Sequence, residues 1–368
     1  LGLTDFVYPG ALHTRFHHAL GCTFLMQQAI ASLRQKGHEI TETENIGAII
    51  AILLHDIGHG PFSHALEHTV VQGITHEEIS LLFMQQLNQE FEGQLDTAIA
   101  IFNDSYPKKF LHQLVSSQLD IDRLDYLKRD SFYSGVSEGI VSSERIIDML
   151  DVVNDNLVIQ QKGIYSVEKF IVARRLMYWQ VYLHKTVISA EFMLVKILER
   201  AKLLTGQGEN LFCSEVLKFF LYNQIDKNDF QEQSALDQFA KLDDYDLMGA
   251  IKVWSEHSDK LLRFLCKAIV NRTLFKVIIS KEPFDDEIEN KIVQQVMDTY
   301  GMNRAEAASI IINEEVANNA YNSAYDSINV LFKNGEVKDI ADASDNLNIQ
   351  TLASPVRKYF MCHPLLSS

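Results

Sequence analysis

Cysteine is scarce: the four residues, Cys22, Cys213, Cys266 and Cys362, show no Cys-x-x-Cys spacing. That excludes a disulfide framework or a thiolate zinc ribbon and fits buried thiols in a reducing, cytoplasmic setting. Proline (6) and glycine (17) are few for 368 residues, which excludes a collagen-like or low-complexity chain. Long apolar runs are missing too. The longest, residues 48–54, falls far short of the roughly 20 residues that a membrane-spanning helix needs. No charged-then-apolar leader opens the sequence, and a first residue other than Met leads us to expect further chain upstream. Basic charge is also short, with 33 Lys and Arg against 49 Asp and Glu, a net charge of −16. A broad nucleic-acid or anionic-membrane surface is thereby excluded, because such partners need a cationic face that releases counterions. A polyanionic substrate has to be held by a local constellation.

Histidine is present and unevenly placed. Nine of the 13 (His13, His17, His18, His38, His55, His59, His64, His68 and His76) fall within the first 76 residues. A lone histidine on an apolar face is usually a hydrogen-bonded core residue, but a cluster that includes carboxylates has metal-ligand character. The densest stretch is the apolar helix 49–54 followed by His55-Asp56-Ile57-Gly58-His59-Gly60-Pro61-Phe62-Ser63-His64. Gly58, Gly60 and Pro61 end the helix and leave imidazoles and a carboxylate at the edge of a dry core.

Other segments contribute matching chemistry. Residues 12–33 repeat apolar side chains at helical spacing, with His13, Arg15, His17 and His18 at the start. Residues 62–71 are expected to restart a helix, and Thr75 with Glu78 forms a capping box for the next, placing His76 and Glu77 in its first turn. In residues 119–130, Asp122, Asp125, Tyr126 and Arg129 share one helical face, while Arg123, Tyr126 and Asp130 share an adjoining one. A short strand or hairpin is expected near 157–165, around Lys162-Gly163. Residues 167–204 contain no Gly or Pro and predict one long helix, along which Arg174, Tyr178, Tyr182 and Lys185 form a stripe. Beyond residue 210 the pattern is helical again, with Asn303 as a cap, and Asn334-Gly335 marks a hairpin in 328–340.

His18, His55, Asp56 and Asp122 supply a mixed nitrogen and oxygen set, suited to Mn, Fe, Ni, Co or Zn better than Ca. Arg15, Arg123, Arg174 and Lys185 can take up phosphate charge. His59, His64 and His76 are candidate proton donors, with Glu67 placed to fix a tautomer.

These segments, taken in order through Tyr8-Pro9-Gly10, His13-Thr14-Arg15-Phe16-His17-His18, the His55–His64 stretch, His76-Glu77, residues 120–130 and Arg174-Arg175 to Lys185, resemble the HD-domain deoxynucleoside triphosphate triphosphohydrolases. These include the bacterial dGTPase-like enzymes and their vertebrate antiviral relative. The resemblance implies hydrolysis of a dNTP to deoxynucleoside and inorganic triphosphate by attack at the α-phosphorus. It implies metal binding by the residues matching His18, His55, Asp56 and Asp122, with Mg on the substrate phosphates. Phosphate and sugar contacts fall to Arg15, Arg123, Tyr126, Asp130, Arg174 and Tyr182, with Tyr178 of the same stripe as a seventh candidate, and the surroundings of the scissile bond to His59, His64, Glu67 and His76. It also implies a homo-oligomer, a tetramer favoured, and a dNTP activator at a second site.

The sequence departs from the family at three places. His17 stands where relatives often carry Glu, Tyr178 stands where the vertebrate relative has His, and Arg123 replaces its Lys. The expected fold is mostly α: an HD-domain helical bundle core (1–205), a helical accessory region (206–320) and a small β-containing C-terminal segment (321–368). The alternatives are an HD phosphohydrolase acting on another nucleotide and a non-catalytic nucleotide sensor.

Overall fold

Helical spacing of apolar residues builds two cores. In the helix Arg15–Gln35, Cys22, Met26, Ile30 and Leu33 fall on one buried face. They pack with Ala48, Ala51 and Ile52 of Glu42–Leu54, Leu124 and Leu127 of Ile121–Ser134, and Phe170 and Met177 of Ile164–Met177. The second core gathers Met193, Ile197 and Ala201 of Lys185–Gly206 with Trp254 of Asp244–Trp254 and Leu262 and Leu265 of Lys260–Val270. The computed structural model describes residues 1–62, 69, 71–318, 321–322, 327–345 and 356–366. They are mostly helical, and among them no helix is long and apolar enough to cross a membrane.

Helix starts follow the local chemistry. Thr75 accepts from the Glu78 amide and Glu78 returns a carboxylate to the Thr75 amide, the capping box that the sequence predicts. Asn303 caps Arg304–Ser309 in the same way. His17 is an exposed helix-capping residue: its Nδ1 accepts from the Thr14 amide at 3.1 Å, so the family's Glu is replaced by another N3 cap acceptor.

The long helix expected over 167–204 is broken. Ile164–Met177 passes into a π-helical turn at Tyr178–Tyr182, closed by the Leu183 amide donating to the Tyr178 carbonyl at 2.7 Å. His184 then caps Lys185–Gly206 through the Thr186 amide. A π turn inserts a residue without needing Gly or Pro, so composition alone carries no sign of it. The break turns Lys185 out to solvent, away from the stripe it was expected to extend.

The first hairpin also differs from expectation. It pairs Leu150–Val153 with Asn156–Gln160 and turns at Asn154 and Asp155, both at positive φ, while Gly163 lies beyond it at the start of Ile164–Met177. The expected hairpin at Asn334-Gly335 is present as Asn329–Leu331 with Val337–Asp339, and it joins the first one in parallel through Ile159↔Val330. A three-stranded antiparallel sheet, with Val356–His363 between Lys276–Ser280 and Ile312–Asn318, escaped the helical reading of that region. The expected helix restart at 62–71 lies largely outside the described residues, and Val71–Gln72 is a short strand.

Candidate metal and phosphate site

The site begins where the Glu42–Leu54 helix stops. His55 holds the C-cap position, and its Nδ1 lies 2.7 Å from the Ile52 carbonyl, which requires the proton on Nδ1. Nε2 then faces Asp56 Oδ1 at 3.4 Å and Asp122 Oδ1 at 3.5 Å. That nitrogen is buried with no hydrogen-bond partner. Unprotonated, it would be repelled by the two carboxylates, so a cation or a proton belongs among them, and against its burial Asp56 and then Asp122 push His55 toward its charged form.

His18 repeats the arrangement from the first helix. Its Nδ1 meets Asp125 at 2.7 Å, leaving Nε2 at 3.0 Å from Asp122 and 3.9 Å from Asp56. The four expected ligands His18, His55, Asp56 and Asp122 therefore converge, and a divalent metal fits the donor set. Burial disfavours charge here, yet the fields of the neighbours win. Burial alone would raise Asp56, but His55, Arg15 and His59 bring its carboxyl down to about 2. Asp122 likewise lies well below the usual carboxylate range despite burial, because His18 and His55 stand beside it. His18 is pushed toward its charged form against its burial by Asp122 and Asp125.

Cys22 touches the same cluster, its Sγ 3.5 and 3.6 Å from the two His18 nitrogens. Burial raises the thiol to about 12, so it stays protonated and packs as an apolar residue.

Asp125 is a residue whose role sequence reasoning did not assign. It is 6% exposed, braces His18, and is itself held by Arg129 through two contacts of 2.8 Å. Its signal was the Asp122-x-x-Asp125 spacing, which places a second carboxylate one turn below the ligand. Asp125→Ala is expected to weaken metal binding about 10- to 100-fold, read as the Mn dissociation constant by calorimetry.

His59 and His76 stand beside the cluster with ring centroids 3.8 Å apart, and His59 Nδ1 is 3.5 Å from Asp56. His64 and Glu67, expected beside them, lie outside the described residues.

All seven expected substrate residues, Arg15, Arg123, Tyr126, Asp130, Arg174, Tyr178 and Tyr182, line one cleft of about 730 Å³ with the ligand cluster at its floor. Arg15 pairs with Asp56, and Arg123 pairs with its own helix N-cap, Asp120. Asp130 accepts from the Tyr182 hydroxyl at 2.8 Å on one oxygen and meets His13 at 2.8 Å on the other, so it orients the tyrosine wall. Tyr178 and Tyr126 contact Tyr182 edge-on, and burial, with Asp130 next, holds the Tyr182 phenol well above its ordinary pKa. Lys185 does not reach this cleft.

An HD domain model matches residues 15–130, and a model of an HD associated region matches 141–210. A crystal structure of a phosphohydrolase from Bacteroides thetaiotaomicron superposes with a TM-score of 0.95 at 53% identity, covering 99% of this chain and 91% of that one. The Bacillus subtilis protein YwfO, uncharacterized, is 34% identical over 285 residues, 76% of this chain and 64% of its own. A Dictyostelium discoideum protein named as a SAMHD1 homolog, a deoxynucleoside triphosphate triphosphohydrolase, is 33% identical over 220 residues, 55% of this chain and 43% of its own. The chain therefore spans less than two thirds of either curated relative.

Proposed function

Since this chain belongs to the HD-domain phosphohydrolase family, we propose that its cleft hydrolyses deoxynucleoside triphosphates to a deoxynucleoside and inorganic triphosphate. The observation that carries this is the joining of two chemistries in one cleft: an anionic ligand cluster at the floor and three arginines on the walls. A triphosphate carries enough oxygens to engage three arginines together with a metal, whereas a monophosphate carries too few to use them all.

His18, His55, Asp56 and Asp122 would hold the divalent metal, which when bound acts as a Lewis acid toward phosphate and lowers the pKa of water. Arg15, Arg123 and Arg174 bind and orient the phosphates, so that the α-phosphorus is presented in one pose. Tyr126, Tyr178 and Tyr182 pack the sugar against an apolar wall, and Asp130 fixes that wall. His59 and His76, whose rings lie in contact, are the donors that protonate the leaving 5′ oxygen. His64 and Glu67 belong to the same proposed group. The homo-oligomer and the dNTP activator also remain proposals.

The test is product analysis of the purified protein with Mn or Mg on each dNTP singly and in mixture. Triphosphate plus deoxynucleoside supports the proposal, and activity only in mixtures adds the activator. Orthophosphate or pyrophosphate would move the chain to another nucleotide hydrolase, and binding without turnover would make it a sensor.

A further inference from the structure

His59 stands between two anchors. On its N-terminal side the Gly58 amide donates to Ser80 Oγ at 2.9 Å, and that hydroxyl donates to the His55 carbonyl at 2.8 Å. Ser80 is fully buried in the helix His76–Glu90, so this side of the turn is fixed by packing. On the C-terminal side stands Phe62, a bulky residue at φ 51°. Such backbone is costly for a residue with a large side chain and persists only where its surroundings hold it.

Two contacts hold it. The ring is 9% exposed and belongs to the second core, with Ile79, Phe83 and the C-terminal helices. The Phe62 amide donates to Asp244 Oδ1 at 2.9 Å, across 182 residues of sequence. Asp244 is free to do this because its own helix is capped by Asp243, which accepts from the Tyr245 and Asp246 amides. The residues between the anchors are His59, Gly60 and Pro61, a link of three in which Pro61 fixes one φ, so a change at Phe62 is passed on to His59 over a short span.

We propose that Asp244 is a positioning residue of the active site: by holding Phe62 in left-handed backbone it sets where the His59 ring stands against Asp56 and His76. The inference rests on the role given to His59 above. It makes the second core part of the catalytic apparatus, although Asp244 contributes no atom to the cleft.

The test compares full-length wild type, Asp244→Ala and Asp244→Asn, each loaded with Mn. The asparagine keeps an oxygen that accepts from the Phe62 amide, while alanine does not. Asp244 is exposed, so the expected loss is partial: kcat for triphosphate release falls about fivefold in Asp244→Ala with KM within about twofold, and Asp244→Asn recovers most of it. Amide hydrogen exchange over residues 57–62 should quicken in the alanine variant alone, with Mn content and melting temperature unchanged. This arm is read without turnover, so an inactive wild type would refute the proposed function while exchange still reports the anchor. Unchanged exchange in Asp244→Ala, an asparagine variant as impaired as the alanine, or a kcat loss that tracks loss of Mn or of melting temperature would each overturn the inference.

Discussion

Asp122→Ala should lose metal and activity together. Asp122 Oδ1 lies 3.0 Å from His18 and 3.5 Å from His55, so its oxygen is the point at which the two imidazoles meet. Removing it leaves two neutral nitrogens and Asp56, one anionic ligand fewer for a divalent ion. Triphosphate release is expected to fall at least about a thousandfold, equivalent to roughly 4 kcal/mol of transition-state stabilisation. Bound Mn, measured by elemental mass spectrometry after desalting, should fall in parallel. Asp122→Asn should behave almost as badly, because it keeps the shape and loses the charge. Activity within tenfold of wild type in either variant would remove Asp122 from the ligand set.

The second large effect is expected at a glycine that carries no side chain into the cleft. Gly58 sits where the turn after His55 packs on the helix His76–Glu90, and a Cβ there would collide with the His76 carbonyl and the Ser80 amide. Both obstacles are backbone, so neither can swing aside as a side chain would. Gly58→Ala must push that helix off the turn, at a cost of about 3 kcal/mol. The same shift separates His59 from His76 and disturbs the Gly58-to-Ser80 hydrogen bond. Denaturant unfolding should show a lower midpoint with an unchanged slope. A midpoint equal to wild type would mean that this contact is looser than the geometry indicates.

The legibility of this molecule in its sequence depended on the range of the interactions involved. The grouping of His18, His55, Asp56 and Asp122 was legible because metal chemistry demands residue types that are rare together, and the fold brings these four side chains together through contacts of 3.0 to 3.9 Å. Caps were legible because they act within three residues, as at Thr75 and Asn303. The π turn at Tyr178–Tyr182 was not, since its hydrogen bonds replace a helical ladder without any breaker residue. The strands Lys276–Ser280 and Ile312–Asn318 were missed because their pairing partner, Val356–His363, lies far along the chain. Asp125 stood in view on the same helix as Asp122, but only the fold reveals that it faces His18. The link between Phe62 and Asp244 has no local signature.

The most direct test of the central claim is hydrolysis of dGTP in ¹⁸O-labelled water by the Mn-loaded protein, with the products separated and weighed by mass spectrometry. Attack at the α-phosphorus with loss of the 5′ oxygen predicts one ¹⁸O in inorganic triphosphate and none in the deoxynucleoside. Label in orthophosphate or pyrophosphate, with a deoxynucleotide as the other product, would show that a different bond is cleaved and would contradict the assignment.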